Sequence, residues 1–313
     1  MANIVLKKTI SELLEMQKYY QADLLEKNPP GSLFAAKTKT CSITGYKSGK
    51  VLFQGIDCEA EAKKWQSVIP ASQAPSTIHK RNTAGLPENF SSLSVIGSDE
   101  VGTGDYFGPI TVVAAYVKKE DIPLLTELGV RDSKDLHDEK IAAIARQIKD
   151  IVPHSLLTLH NEKYNQLQQA GMSQGKMKAL LHNQAISHVL KKINPMKPEA
   201  ILIDQFVQPD TYFQHLRGQK TIVKDDVVFS TKAEGIHVAV AAASILARYA
   251  FVQYIDRLSK AAGFKIPKGA GSQVDEAAAR LMMAKGSEAL AKFVKLHFAN
   301  TEKARKLVRK KRG

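Results

Sequence analysis

The sequence has little cysteine, a single tryptophan and fewer acidic than basic residues. Its two cysteines, Cys41 and Cys58, are too few for the disulfide framework of a small secreted domain, and we expect both to be free thiols. No apolar run approaches the roughly 18 to 20 residues that span a bilayer, and charge appears too early at the N-terminus for a secretory signal. These absences predict a cytoplasmic protein with no membrane segment.

Excess positive charge is the strongest compositional signal. The chain has 45 Lys and Arg against 31 Asp and Glu, a formal net charge of +14. This excess predicts a polyanionic partner, for which nucleic acid and an anionic membrane surface are the two candidates. The basic stretch at residues 303–312 has little apolar face, which disfavours the membrane surface.

Residues 1–68 are predicted to form a small α+β domain, for which a chain of 313 residues has room. Apolar residues at helical spacing predict an amphipathic helix over residues 5–24, ended by "KNPPG". The runs "SLFAAKT", "TCSITGY" and "KVLFQG" are typical of strands, and "DCEAEAKKWQSVI" predicts a second helix. Residues 69–92, rich in Pro, Ser, Ala and Asn, predict a linker.

Residues 93–313 are predicted to form a larger α/β domain around one sheet, ending in a basic C-terminal helix. The segments "LSVIG", "PITVVAAYV", "SLLTLH", "EAILID" and "TIVKDDVVFS" indicate strands. Helical segments lie between and after them, the longest being "IHVAVAAASILARYAFVQYIDRLSKAA". Strands and helices in this order favour a layered α/β structure.

Four acidic residues are placed at strand ends or at a helix start. Asp99 and Glu100 end the strand in "SVIGSDE", Asp204 closes "EAILID", and Glu234 precedes the long alanine-rich helix. If these carboxylates converge, they repel one another unless cations intervene, and oxygen ligands suit Mg²⁺ or Mn²⁺. With a polyanionic substrate, this pattern is typical of two-metal hydrolysis of a phosphodiester.

The adjacency of Asp99 and Glu100 raises a geometric difficulty. Neighbouring residues of a regular strand point to opposite faces, so a shared site predicts that the strand ends or distorts here, as Gly102 would permit. The loop "GTGDYFG" is followed by Pro109 and a β-rich run, whereas a dinucleotide-binding loop opens a helix. The sequence therefore disfavours a dinucleotide site.

Several motifs together resemble one family. "GSDEVGTGDYFGP", "RDSKDL", a strand ending in "LID" and "AEGIHVAVAAASILAR" occur in the order found in the type 2 ribonucleases H, specifically the ribonuclease HIII branch. The resemblance covers residues 94–298. It implies a ribonuclease H-like mixed-sheet catalytic domain, preceded by a small N-terminal α+β domain resembling the TATA-box-binding fold.

The resemblance also implies an activity. Members of this family hydrolyse the RNA strand of RNA–DNA hybrids with two divalent ions, for which we expect Mg²⁺ or Mn²⁺. Glu234 and Thr103 stand where ribonuclease HII relatives carry aspartate and arginine, which favours the HIII branch. Because the arginine is absent from the substrate loop, we expect a preference for runs of ribonucleotides over a single embedded one.

Carried over residue by residue, the resemblance makes Asp99, Glu100, Asp204 and Glu234 the catalytic metal ligands. A glycine-rich loop lets the backbone approach the wide minor groove of a hybrid, where RNA displays its 2′-hydroxyls. We expect a monomer. The expected nucleic-acid contacts are Gly102, Thr103, Gly104, Ser133, Lys134, Tyr46, Lys47, Lys50 and Gln54.

Two alternatives stay open on the sequence alone. The first is a non-catalytic nucleic-acid-binding protein whose acidic residues are structural, which leaves the four carboxylates at sheet ends unexplained. The second is a different two-metal nuclease of the same broad fold, such as a Holliday-junction resolvase or an exonuclease, which differs in substrate.

Overall fold

A computed structural model describes residues 2–29, 31–65 and 86–312 of the chain. Residues 69–85 of the predicted linker at 69–92 lie outside the described residues. Its last part is described, and the 3₁₀ turn Phe90–Ser92 packs the buried Phe90 ring into the core of the larger domain.

The N-terminal domain is an antiparallel four-stranded sheet with two helices on one face. Its first strand precedes the first helix, so our prediction of one helix over residues 5–24 was wrong at its start. Thr9 and Glu12 form a capping box that begins the helix, and the residues before it pair with the last strand. The elements are β1 Ala2–Lys7, α1 Ile10–Tyr19, β2 Ser32–Lys37, β3 Cys41–Tyr46, β4 Lys50–Gly55 and α2 Cys58–Lys63, with strand order β1-β4-β3-β2.

The opposite face of this sheet contacts the larger domain. Tyr46 and Leu52 are buried within the larger domain's apolar core, and the Lys50 ammonium lies 2.7 Å from the Asp121 carboxylate. These contacts fix one end of the small sheet against the larger domain. Cys41 and Cys58 are buried free thiols.

The larger domain is built on a five-stranded mixed sheet, as predicted. Its strands are β5 Val95–Val101, β6 Ile110–Val117, β7 His154–Leu159, β8 Ala200–Asp204 and β9 Val227–Ser230, in the order β7-β6-β5-β8-β9. β6 is antiparallel to both of its neighbours, β5 and β7, and β8 runs parallel to both β5 and β9. The last strand is shorter than predicted, since Asp226 directly before it has a left-handed φ of 58°.

Helices cover both faces of this sheet. One long helix packs on the face of Gly97, where a Cβ would lie 2.2 Å from the Val240 nitrogen, so only glycine admits the helix this closely. The segment "SEALAKFVKLHF", for which the sequence predicts a helix, holds only a single helical turn, and four helices, at residues 122–127, 161–169, 209–215 and 272–285, were not predicted. The helices are α3 Ile122–Glu127, α4 Asp138–Ile148, α5 Asn161–Gln169, α6 Gln174–Ile193, α7 Pro209–His215, α8 Val238–Ala262, α9 Ser272–Lys285, α10 Leu290–Phe293 and α11 Asn300–Arg312.

Helix α8 is long and apolar enough, by length and composition, to cross a membrane. Its apolar sequence is interrupted by Arg248 and Gln253. Most of its apolar window is buried inside the protein, against β5 and β6. It is the core helix of the larger domain.

Candidate active site

Asp99 and Glu100 lie within a regular strand, contrary to the predicted distortion. They pair with Val113 and Val112 of β6 in unbroken register. Pairing of β5 with β8 reaches only Ser98, so β5 extends past its parallel neighbour. Side chains from both faces of β5 can therefore approach the space beyond the end of β8, which removes the need for a break in the strand.

The Asp99 carboxyl is buried on the α8 face. It accepts hydrogen bonds from the Ser244 side chain and, at 2.7 Å, from the backbone N–H of Glu100. Burial, followed by the nearby carboxylates of Glu100, Asp204 and Glu234, raises the pKa of Asp99 well above its ordinary value. The structure thus brings the four predicted acidic residues into mutual electrostatic contact.

Glu100 faces the opposite side of the sheet, toward α6. The Lys178 ammonium lies 2.7 Å from its Oε1, and Nε2 of His182 lies 3.0 Å from its Oε2. Burial by itself would raise the pKa of Glu100, but His182 and Lys178 together lower it. His182 is oriented in turn by the buried Ser98 hydroxyl, 2.7 Å from its Nδ1.

Asp204 and Glu234 complete the acidic group. Asp204 ends β8, and its Oδ1 accepts the backbone N–H of Ala233 at 2.8 Å. Burial, with further contributions from Glu100 and Glu234, raises the pKa of Asp204. Glu234 is buried in the 3₁₀ turn Ala233–Gly235, immediately before α8.

The turn Ser133–Asp135 holds Glu234 from the other side. The Ser133 backbone N–H donates to Glu234 Oε2 at 2.8 Å, and the Lys134 ammonium lies 3.2 Å from Oε1. Asp132, rather than Ser133, caps this turn, because its side chain accepts the Lys134 N–H. The buried Ser133 hydroxyl lies 2.9 Å from that of Ser244.

The glycine loop after β5 divides into a buried and an open part. Gly102 is buried with φ +97°, and a Cβ there would lie 2.2 Å from the Pro109 carbonyl oxygen, so this position requires glycine. Gly104 is exposed, and an added Cβ would meet no atom within 4 Å. Thr103 between them is partly exposed, with its carbonyl accepting from Gln174 at 3.2 Å.

A buried lysine secures the far end of this loop. The Lys295 ammonium donates to the carbonyl oxygens of Asp105 and Gly108, both at 2.7 Å, and its backbone N–H donates to Tyr106. The Tyr106 hydroxyl lies 3.0 Å from that of Thr301 at the start of α11. Burial lowers the pKa of Lys295 to about 7. Segments near the C-terminus thus shape the loop that follows Asp99 and Glu100.

The hairpin residues predicted to contact nucleic acid do not share one environment. Tyr46 is buried at the contact between the domains, and Lys50 is engaged there by Asp121, so neither is free to meet a duplex. Lys47 is exposed, and Gln54 is partly exposed on the same sheet face as Leu52, farther from the larger domain. Tyr46 and Lys50 thus lie at the contact between the domains, while Lys47 and Gln54 are accessible.

Within residues 2–29, 31–65 and 86–312, no three His, Cys, Asp or Glu side chains are arranged to hold a metal ion as they stand. Both glutamates of the acidic group are instead paired with lysines, Glu234 with Lys134 and Glu100 with Lys178. The donor set nevertheless fits Mg²⁺ or Mn²⁺, since all four groups offer carboxylate oxygens and two of them, Asp99 and Asp204, accept hydrogen bonds from uncharged donors.

Sequence reasoning missed the polar residues of α6 that surround Glu100. Lys178 and His182 are four residues apart, a spacing that places both on one helix face. That face also carries the buried Met177, Ala185 and Ile186. Two ionisable residues on the buried face of a helix were the sequence signal that could have identified Lys178 and His182 as site residues. Ser244, among the alanines of α8, is a further residue of the site, since its hydroxyl bonds to Asp99 and Ser133.

A mixed five-stranded sheet with four acidic side chains gathered at the ends of β5 and β8 and before α8 defines a nuclease of the ribonuclease H type. Residues 96–301 match the family model described as Ribonuclease HII, and residues 3–77 match a domain of unknown function. Within this group the chain belongs to the ribonuclease HIII family. It is an endoribonuclease of the ribonuclease H type.

Relatives cover the whole chain. Ribonuclease HIII of Bacillus subtilis is 55% identical over 314 residues, covering 100% of both chains. The crystal structure of Bst-RNase HIII in complex with Mn²⁺ is similar with a TM-score of 0.72 and 48% identity, covering 99% of this chain and 100% of that one. That of Aquifex aeolicus RNase H3 has a TM-score of 0.53 and 25% identity, covering 94% and 99%. The predicted family and mixed-sheet fold are thereby confirmed.

Proposed function

We propose that this endoribonuclease hydrolyses the RNA strand of RNA–DNA hybrids with two divalent ions held by Asp99, Glu100, Asp204 and Glu234. The observation that carries this proposal is the burial of Asp99 beside three further carboxylates, which raises its pKa. A buried acidic group with uncharged hydrogen-bond donors is costly unless a cation joins it. The Mn²⁺ complex of a relative with 48% identity supports the same assignment.

The divalent ions would supply charge for activating water and for stabilising the leaving oxygen of the cleaved phosphodiester. The protein's part is positioning. Ser244 and the Glu100 N–H orient the Asp99 carboxylate, and the Ala233 N–H orients Asp204. The turn at Ser133 fixes Glu234. Each carboxylate is thus held by a donor on a rigid element, which limits its reorganisation during the reaction.

Substrate recognition is assigned to the exposed part of the glycine loop and to Lys134. Gly104 leaves open space beside Thr103, which suits close approach of the backbone to the hybrid's minor groove. The Lys134 side chain is 68% exposed, so it can leave Glu234 for a substrate phosphate. Lys47 and Gln54 extend the contact onto the N-terminal sheet.

We further propose a preference for runs of ribonucleotides over a single embedded one, because Thr103 stands where the HII relatives carry arginine. With one side chain fewer to grip an isolated junction, recognition relies on several successive 2′-hydroxyls. We propose that the enzyme acts as a monomer in the cytoplasm, on Mg²⁺ or Mn²⁺.

Cleavage of end-labelled 20-mers tests the proposal. The substrates are a full RNA–DNA hybrid, DNA with one embedded ribonucleotide, double-stranded RNA and double-stranded DNA, each in Mg²⁺, Mn²⁺ or EDTA. We expect metal-dependent cleavage of the hybrid's RNA strand and little cleavage at the single ribonucleotide. Equal cleavage of both would refute the preference for runs, and cleavage in EDTA would refute the metal requirement.

A further inference from the structure

We propose that Lys178 is a built-in counter-ion of Glu100 that weakens divalent-ion binding on the Glu100 side of the active site. On this view the first ion is taken up mainly through Asp99 and Asp204. The inference rests on the proposed metal-dependent function and assigns a positioning residue on α6 to it.

The contacts of Lys178 are those of a fixed cation. Its ammonium lies 2.7 Å from Glu100 Oε1 and 4.1 Å from the centre of the Phe206 ring. The His182 ring stacks on the same Phe206 ring at 5.0 Å and occupies the other Glu100 oxygen. Packing on Phe206 therefore holds both Lys178 and His182, the two partners of Glu100, in place.

The second lysine of the site behaves differently. Lys134 pairs with Glu234, but its side chain is 68% exposed, whereas that of Lys178 is 9% exposed. An exposed lysine exchanges its partner for water or a phosphate at little cost, since surface ion pairs are weak. A buried lysine that leaves its carboxylate loses a partner without gaining solvent, so Lys178 stays with Glu100.

The distribution of charge then separates the carboxylates into two kinds. The two glutamates are each paired with a lysine, while Asp99 and Asp204 accept hydrogen bonds from uncharged donors. A divalent ion near the aspartates replaces mutual repulsion with attraction. An ion near Glu100 meets the Lys178 charge as well, and that repulsion weakens its binding.

Binding of Mn²⁺ to the full-length protein without substrate tests this role. Free Mn²⁺ is measured by electron paramagnetic resonance for wild type, Lys178→Met, Lys178→Arg and Lys191→Met. Lys191 is an exposed residue of the same helix, so its variant controls for the change in net charge. Lys178→Gln keeps a hydrogen-bond donor without the charge and serves if Lys178→Met does not fold.

Removal of the Lys178 charge should tighten Mn²⁺ binding by at least about tenfold, since repulsion from a nearby unit charge at an effective dielectric constant of about 20 exceeds that free energy. Lys178→Arg and Lys191→Met should bind as wild type does. In EDTA the neutral variants should melt below wild type and gain more from Mn²⁺ than wild type does. Unchanged or weaker binding by the neutral variants would overturn the counter-ion role. Wild type that binds no Mn²⁺ would instead overturn the proposed metal-dependent function and this inference with it.

Discussion

Replacement of Gly97 by alanine tests the close packing that positions Asp99. An alanine Cβ at this position would lie 2.2 Å from the Val240 nitrogen, 2.3 Å from the Ala239 carbonyl carbon and 2.6 Å from its oxygen. Ordinary contact begins at 3.4 Å, so α8 must withdraw from β5 by roughly 1 Å (3.4 − 2.2). Backbone atoms cannot rotate away as a flexible side chain can.

This displacement should cost both stability and activity. Overpacking of a core typically costs about 1 to 3 kcal/mol, and a clash with helix backbone belongs at the upper end, near 3 kcal/mol. Ser244 lies on α8 and bonds to Asp99 on β5, so the same movement separates the two. Misplacement of about 1 Å in a catalytic site can reduce the rate on the order of 100-fold.

Urea unfolding and hybrid cleavage measure the two effects. The matched control is Gly104→Ala, since a Cβ at Gly104 meets no atom within 4 Å and its backbone conformation is open to other residues. Gly104→Ala should therefore unfold at the wild-type urea concentration. If Gly97→Ala unfolds within about 0.5 kcal/mol of wild type, the packing argument is wrong.

Three further predictions concern the acidic site, the start of α8 and the N-terminal hairpin. Asp99→Asn should abolish cleavage and retain hybrid binding. The raised pKa of Asp99 favours its protonated form in the folded state, so the contribution of this group to stability is greatest below the unfolded pKa of about 3.9 and falls as pH rises. In EDTA at pH 7 the Asn variant should therefore melt above wild type, and the difference in melting temperature should shrink toward pH 4. Burial lowers the pKa of His237, directly before α8, to about 4 from an ordinary value of 6.5. The stability that the neutral ring contributes above pH 6.5 is therefore lost as pH falls, by about 2 kcal/mol at pH 5. Urea unfolding should show that His237→Asn loses less stability than wild type across that pH range. Lys47→Ala should weaken hybrid binding and flatten its salt dependence by a slope of about 0.9, whereas Tyr46→Phe, altered only at a buried hydroxyl, should leave both unchanged in a binding titration.

Those features of the fold that depend on local patterns could be predicted from the sequence. The apolar runs of β5, β6 and β8 and the alanine-rich α8 are continuous and strongly periodic. The first strand was missed because residues 2–7 share apolar spacing with the helix that follows, and Thr9 separates the two only through its cap. Pairing with β4, which no local pattern reveals, decides in favour of a strand there.

Prediction of the site met a similar limit. The acidic residues follow from their positions at strand ends, but their partners come from elements distant in sequence. Lys178 reaches Glu100 across 78 residues, and Ser133 reaches Glu234 across 101. The environment of Tyr46 was misjudged because a hairpin with lysines looks exposed in sequence, while its sheet face packs on the larger domain. Deletion of residues 1–68 would for this reason uncover core surface of the larger domain as well as remove the proposed substrate contacts of Lys47 and Gln54.

The contacts of Lys295 with the glycine loop have a consequence for the order in which parts of the active site are completed during synthesis. All four carboxylates precede residue 235 in the chain, about sixty residues before the lysine that holds the Asp105 and Gly108 carbonyls. A nascent chain therefore carries its acidic residues before Lys295 has been added. Only when translation has passed Thr301, the partner of Tyr106, can the loop gain its full set of contacts.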